Sequence, residues 1–471
     1  MDFKLKKYDI IWGYIAQFFS VASGIITLPI ILNMLTVNEI GLYYLMLTIS
    51  SLVIIFDFGF APQIGRNITY VFSGAQKLKK EGVQTEKGKA INFHLLANVI
   101  RTAIFVYRRL SIIVLVFLLT IGTLYTYTVT EGFSTVKNSL GVWVLYSISV
   151  FFSVYYSYYS SLLIGKGLIK ESRKATVISK SVYIILTFVL LYSGLGLVGV
   201  AISNLLSQFV LRYICYHYFF TRELNEQISK QEISKQEKID LFKTIWHNAK
   251  KLGLVFVGAY AISKLGFFLS GLFLSLSDVA SYGLMIQLVG FLVAISSTLL
   301  SLNQPRFSSL RVQGEKDVLI KEFASNTILY YIIYLLGTIF LMIFGNFALD
   351  IIGSNASLPS SSILLLFLIV SFLEGNHSNY ANLITTNNNI PFVNSSLIAG
   401  VAIGIGSFIV LRYTELGVLG LILTQGVVQV VYANWKWPYY VYKEFNQNLL
   451  SFHLIGMNEL TRKIKCLRWH Q

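Results

Sequence analysis

Lys264 is the only charged residue in the apolar run 253–276. It lies about eleven residues in, which is about 16 Å along a helix rising 1.5 Å per residue. A cation that deep in a long apolar helix costs several kcal/mol unless it meets water, a ligand or an acid. Two readings follow: Lys264 faces a wet cavity and holds an anion, or it pairs with a buried acid for structure alone. A second cluster lies in 361–384. Ser371, Glu374, Ser378 and Asn382 recur at helical spacing as one polar stripe, with His377 three residues after Glu374. Such a stripe lines a cavity or a polar helix interface; it does not face lipid. Glu374 either exchanges a coupling proton or Na⁺, or is a structural carboxyl bonded to a neighbouring helix or to Lys264. Asp57 has the same pair of readings, the structural one ahead. Lys180 and Arg212 lie within two turns of the ends of their runs, where each either holds an anion or snorkels to the headgroups, snorkelling being the simpler account. Arg66 is either an anion-contacting residue at the mouth of its helix or a plain anchor.

These residues need long helices to hold them. Of 471 residues, 55% are hydrophobic and only 13% charged, and mean hydropathy is +0.64. A soluble chain carries roughly a quarter charged residues. Apolar runs near the ~20 residues that cross a bilayer recur from end to end. In lipid every backbone polar group must be paired within the protein, so the runs are helices. They fall at 10–35, 40–60, 110–129, 141–164, 175–192 and 197–216, then at 253–276, 279–303, 326–349, 361–384, 392–411 and 416–435. The first is too long for a signal-peptide core and has no small-residue cleavage site. The expected fold is an all-α integral membrane protein of about 12 transmembrane helices.

Charge gives the orientation. The segments on the N-terminal side carry 33 Lys and Arg, and the opposite loops carry two, Lys137 and Arg412. The positive-inside rule therefore places both termini in the cytoplasm. It also accounts for the net charge of +16 without nucleic acid. Cys215 and Cys466 fall at cytoplasmic ends, which argues against a structural disulfide. Neither a phosphate-binding G-x-x-x-x-G-K-[ST] loop nor a His/Cys metal spacing occurs. Cysteines placed at Ser229 and Ser354 are expected to label from opposite sides of intact cells; labelling of both from outside would end this topology.

The chain repeats itself. Glu39-Ile40-Gly41-Leu42-Tyr43-Tyr44-Leu45-Met46 reads against Asp278-Val279-Ala280-Ser281-Tyr282-Gly283-Leu284-Met285, and each half reaches an arginine after that helix, Arg66 or Arg306. Leu195-Gly196-Leu197-Val198-Gly199 reads against Leu416-Gly417-Val418-Leu419-Gly420, with Gln208 matching Gln429. Two six-helix lobes follow, 1–216 and 253–435, joined by a cytoplasmic linker 217–252 and followed by a basic amphipathic tail 436–471. An even number of spans per lobe makes the repeats parallel, with a pseudo-two-fold along the membrane normal.

Two further stretches are amphipathic. One is 92–109, with Leu95, Leu96, Val99, Ile100, Ala103 and Ile104, which follows a basic segment at Lys77, Lys79 and Lys80. The other is the tail, with Leu450, Leu454, Leu460, Ile464 and Leu467. Both suit helices lying on the anionic inner leaflet. Ile-Ser-Lys-Gln-Glu, repeated at 228–232 and 233–237, reads as a solvated loop helix.

Leu28-Pro29-x-x-Leu32, Glu39-Ile40-Gly41-Leu42-Tyr43, and Asp57-Phe58-Gly59-Phe60 running into Gly65-Arg66-Asn67 resemble the Wzx-type flippases of O-antigen and polysaccharide repeat units. These form a branch of the multidrug/oligosaccharidyl-lipid/polysaccharide exporter superfamily. The L-G-x-x-G pairs opening spans six and twelve also fit. The resemblance implies paired six-helix lobes that alternate between inward and outward openings in a bacterial inner membrane. It implies a substrate of a few sugars on undecaprenyl pyrophosphate, with polysaccharide polymerase and glycosyltransferases working alongside. A pyrophosphate wants fixed cations, which makes Lys264, Arg66, Lys180 and Arg212 the candidate substrate contacts. Two rivals stand: a multidrug cation exporter of the same fold, and a membrane oligosaccharide polymerase. The three in-span cations against two acids, Asp57 and Glu374, count against the first; short external loops and the two-lobe repeat count against the second.

Overall fold

The computed structural model describes residues 26–51, 59–72, 74–78, 90–313, 315–386 and 391–468, together with positions 12, 19, 24 and 57. Among these, ten helices are long and apolar enough to cross a membrane. They correspond to the third to twelfth apolar runs. The first run is described at 12, 19, 24 and 26–35, and Lys79 and Lys80 lie outside the described residues. The second appears as α1, Val37–Ser51, whose apolar part is Val37–Ile49. The chain divides into two compact units, Met1–Tyr260 and Ala261–Gln471.

In the first unit, α1 begins with a capping box. The Glu39 carboxylate accepts from the Thr36 backbone N–H at 2.9 Å, and the Thr36 hydroxyl accepts from the Glu39 N–H at 3.3 Å. Gly59 turns the chain at φ 73°, a conformation glycine adopts without cost. There α2, Phe60–Phe72, starts, its Ala61 N–H donating to Asp57 at 3.2 Å. From Ala61 on, this segment falls between the second and third apolar runs. It is a helix because Ile64, Ile68 and Val71 form one fully buried face while Pro62 and Arg66 face outward.

After α2 come α3 (Phe93–Phe117), a π-helical turn (Leu118–Gly122) and α4 (Thr123–Val129). The stretch expected to lie on the leaflet is the first half of α3, and Leu96, Val99, Ile100 and Ala103 are buried in protein. Next are α5 (Ser139–Tyr156), α6 (Tyr158–Gly165), α7 (Ile169–Tyr192) and α8 (Gly196–Phe219). α2 packs closely on α6: a Cβ on Gly165 would stand 2.5 Å from the Gly65 carbonyl, and the Thr69 hydroxyl donates to the Gly165 carbonyl at 3.0 Å.

The expected linker is mostly helical. It holds α9, Arg222–Ser229, and then the start of α10, Lys235–Phe273, which runs without interruption into the seventh span. The second Ile-Ser-Lys-Gln-Glu copy is the capping box of α10, where the Ser234 N–H donates to Glu237 at 2.8 Å and the Ser234 hydroxyl accepts from the Glu237 N–H at 3.1 Å.

The second unit contains the end of α10, then α11 (Leu276–Gln313), α12 (Lys316–Ile351), α13 (Ser361–Thr385), α14 (Val393–Tyr413), α15 (Gly417–Val431), α16 (Ala433–Glu444) and α17 (Leu449–Arg468). α17, the tail helix, has one face docked on α12. Gly456 lies against the Ala324 carbonyl, and Phe452 is fully buried among Phe323, Tyr380 and Tyr442. Leu450 and Leu454 lie on its exposed side. The same end is held by ion pairs: Arg306 forks onto Glu322 at 2.7–2.9 Å, and Arg311 joins Glu444 while its Nε donates to the Thr386 hydroxyl at 2.6 Å.

Candidate functional site

The polar stripe of α13 opens into a cavity of about 380 Å³ within the second unit, inside the range of small-ligand pockets. Ser371, Glu374, Ser378 and Asn382 all line it, from successive turns of one helix face. Lys264 and Ser263 enter from α10, and Tyr282 and Ser297 from α11. Gln425 enters from α15 and donates its amide N–H to Glu374 Oε2 at 2.6 Å. Asn379 donates to the Ser297 hydroxyl at 3.3 Å, tying α13 to α11 along the wall.

Among the described residues, Lys264 is the single cation lining this cavity. It feels the Glu374 carboxylate electrostatically, yet among the described residues it forms no salt bridge. Gln425 holds the carboxylate at Oε2, and the Lys264 side chain lines the cavity beside it. The site therefore offers a cation, hydroxyls and amides together with the apolar side chains of Ile286, Val289, Val293 and Phe367, beside one carboxylate hydrogen-bonded by Gln425. An oxyanion carried on a polyhydroxylated group has complementary chemistry, because Lys presents three donors and the wall presents both donors and acceptors.

The other sequence candidates lie elsewhere. His377 is on α13 but its Nδ1 meets Asn434 Oδ1 at 2.8 Å, and it does not line the cavity. The remaining four belong to the first unit. Asp57 accepts from the Tyr107 hydroxyl and the Ala61 N–H, tying α3 to the start of α2. Arg66 is exposed on α2. Lys180, half-buried on α7, lies 5.8 Å from the Tyr183 ring centre. Arg212, on α8, is 5.4 Å from the ring centre of Tyr156 and 5.9 Å from that of Tyr216. The structure thus gathers Lys264 with Glu374, Ser371, Ser378 and Asn382, and none of these four residues of the first unit lines that cavity.

No protein-family model matches the chain, and no curated protein matches it. Solved structures do. An inward-facing multidrug resistance MATE family transporter of the MOP superfamily aligns over 92% of this chain and 95% of its own, with TM-score 0.63 and 13% identity. The MATE multidrug transporter DinF-BH, solved as a complex with a small molecule, aligns over 96% and 98%, with TM-score 0.61 and 13% identity. The chain has the fold of the MOP superfamily transporters. A further MOP superfamily transporter, from Pyrococcus furiosus, aligns over 94% and 95% at TM-score 0.50 and 13% identity; its pocket is described as having a reversed polarity that suggests a different function.

Within this MOP fold, sequence reading missed Gln425. The signal was present: Gln425 and Gln429 are four residues apart, on one helix face of α15, whose one other polar side chain is Thr424. Gln429 is 1% exposed and neither of its amide atoms is hydrogen-bonded.

Proposed function

We propose that this chain is a secondary-transport flippase, moving an undecaprenyl-pyrophosphate-linked oligosaccharide from the cytoplasmic to the periplasmic leaflet of a bacterial inner membrane by alternating access. The observation that carries the reading is the cavity of the second unit, which Lys264 lines together with hydroxyls and amides and where the carboxylate beside it is hydrogen-bonded by Gln425. A fixed cation attracts a phosphate head group, and the polar wall suits the hydroxyls of sugars. Glu374 serves as the ion-coupling group, exchanging a proton or Na⁺. The 33-to-2 cation asymmetry supports cytoplasmic termini.

A multidrug cation exporter is the second reading. It is favoured by the multidrug transporters among the structural neighbours and by Glu374, Tyr282 and Phe367 around the same cavity. The two separate on one experiment. Deletion of the gene is expected to trap the lipid-linked repeat unit in the cytoplasmic leaflet, measured by its protection from an external glycan-modifying reagent in spheroplasts. An unchanged leaflet distribution, with raised sensitivity to cationic drugs, would replace the flippase by the exporter.

A further inference from the structure

The first unit holds an aromatic groove around Arg212 that the cavity of the second unit does not account for. On α8, Phe209, Arg212, Tyr213 and Tyr216 fall on one face at helical spacing. On the facing helices α5 and α6, Tyr156 and Tyr159 do the same. Rings close the groove from both sides: Phe209 stands 4.7 Å from Phe152 and 6.0 Å from Tyr156, and Tyr159 stands 6.4 Å from Tyr216. Arg212 lies between them with its guanidinium over Tyr156 and Tyr216.

Two facts mark this groove as more than packing. Arg212 Nε is buried and has no hydrogen-bond partner, and among the described residues no carboxylate pairs with the guanidinium. Buried donors of a charged group are costly to leave unused, and the hydrogen bond with Tyr159 and the ring faces together supply only part of what a carboxylate or phosphate would. The groove is also open: Tyr213 is 62% exposed and Phe209 36% exposed. Arg212 lies seven residues before the end of α8 at Phe219, about 10 Å along the helix, at the end that the charge asymmetry puts on the cytoplasmic side. From that depth, inside the hydrocarbon layer but on its cytoplasmic side, a long guanidinium side chain reaches toward the headgroup boundary of the inner leaflet.

We propose that Arg212 and the tyrosines around it form a binding groove for the phosphate of a membrane-anchored anion at the inner leaflet. The guanidinium pairs with the phosphate oxygens, two N–H donors to two acceptors, and the rings pack on whatever carbon frame carries it. The phosphate comes from either of two sources, an anionic phospholipid or the head of a polyprenyl pyrophosphate. The second source rests on the flippase reading; the first does not.

The test is native mass spectrometry on the full-length protein, titrated separately with phosphatidylglycerol, undecaprenyl pyrophosphate and, as a control without phosphate, undecaprenol. Arg212→Gln is expected to weaken binding of the phosphate-bearing lipid about tenfold or more, and Tyr156→Leu, which keeps the guanidinium, several-fold. Undecaprenol should be held equally by all three proteins. A loss for phosphatidylglycerol alone assigns the groove to membrane lipid, and a loss for the polyprenyl probe alone assigns it to the substrate. Either supports the groove, and the flippase reading stands or falls separately on the leaflet measurement. Wild-type affinity for both anions in Arg212→Gln and Tyr156→Leu overturns the proposal. Should Arg212→Gln not fold, wild-type affinity in Tyr156→Leu overturns it alone.

Discussion

Lys264→Ala is expected to abolish transport of the lipid-linked oligosaccharide while the protein accumulates normally, and Lys264→Arg to retain part of it. The basis is the position of the ammonium: it lines the cavity without a salt bridge, and the one carboxylate that it feels is hydrogen-bonded by Gln425. A hydrogen bond to a charged group contributes about 1.5–3 kcal/mol, so one lost contact weakens binding by about ten- to a hundredfold. Arginine keeps the charge but replaces a compact point donor by a planar fork on a longer stem, so partial function follows. Stability supplies the internal control. A lysine kept only to satisfy a buried acid would, once removed, cost about 3–5 kcal/mol by leaving a charge unpaired. A lysine kept for a ligand has no such structural debt, and Ala should melt at or above the wild-type temperature. Surface polysaccharide and the Tm of the purified variant together decide it. Wild-type transport in the Ala variant removes Lys264 from the site, and loss of transport with a large fall in Tm makes it structural.

What the sequence disclosed followed the range of its signals. Hydropathy sees runs of apolar residues, so the cores of ten of the twelve expected spans appear where helices occur. It does not see the polar extensions that carry α3, α10, α11 and α12 beyond those runs, because a helix packed on other helices needs no continuous apolar face. The Ser371–Glu374–Ser378–Asn382 stripe was legible because its order is local, one residue per turn of α13. Its partners were not. Gln425 is 51 residues from Glu374, and Tyr107 is 50 from Asp57, and single-sequence spacing holds no information at that range. The start of α10 had a readable cue, Ser234 with Glu237 three residues later, but the repeat reads as a separate solvated loop helix rather than as the start of the seventh span. The Arg212 groove was half-legible: the facing aromatic residues recur every three to four positions on both helices, but only packing shows that the two stripes meet.

Glu374→Gln is expected to leave a folded protein that binds substrate and no longer responds to the ion gradient. The amide keeps the shape of the side chain and an oxygen that accepts from the Gln425 N–H, a bond of 2.6 Å in the wild type, so the packing of α13 against α15 is retained. What is lost is the ability to change charge. A carboxylate inside a cavity biases the equilibrium between two openings only if its protonation or ion occupancy differs between them. A side chain that cannot ionise removes that difference, and the two openings then interconvert without regard to the gradient. Measured in proteoliposomes with and without an imposed proton or Na⁺ gradient, the wild type should accelerate with the gradient and the Gln variant should run at one rate in both. Gln425→Leu serves as the companion change: it deletes the donor but leaves the carboxyl able to ionise, so gradient dependence should persist. If Glu374 were instead a structural counter-charge to Lys264, Gln would lower the protein level, and Glu374→Gln combined with Lys264→Met would restore it by removing both charges from the cavity. A well-expressed Gln variant that still follows the gradient as the wild type does would end the coupling role of this carboxyl.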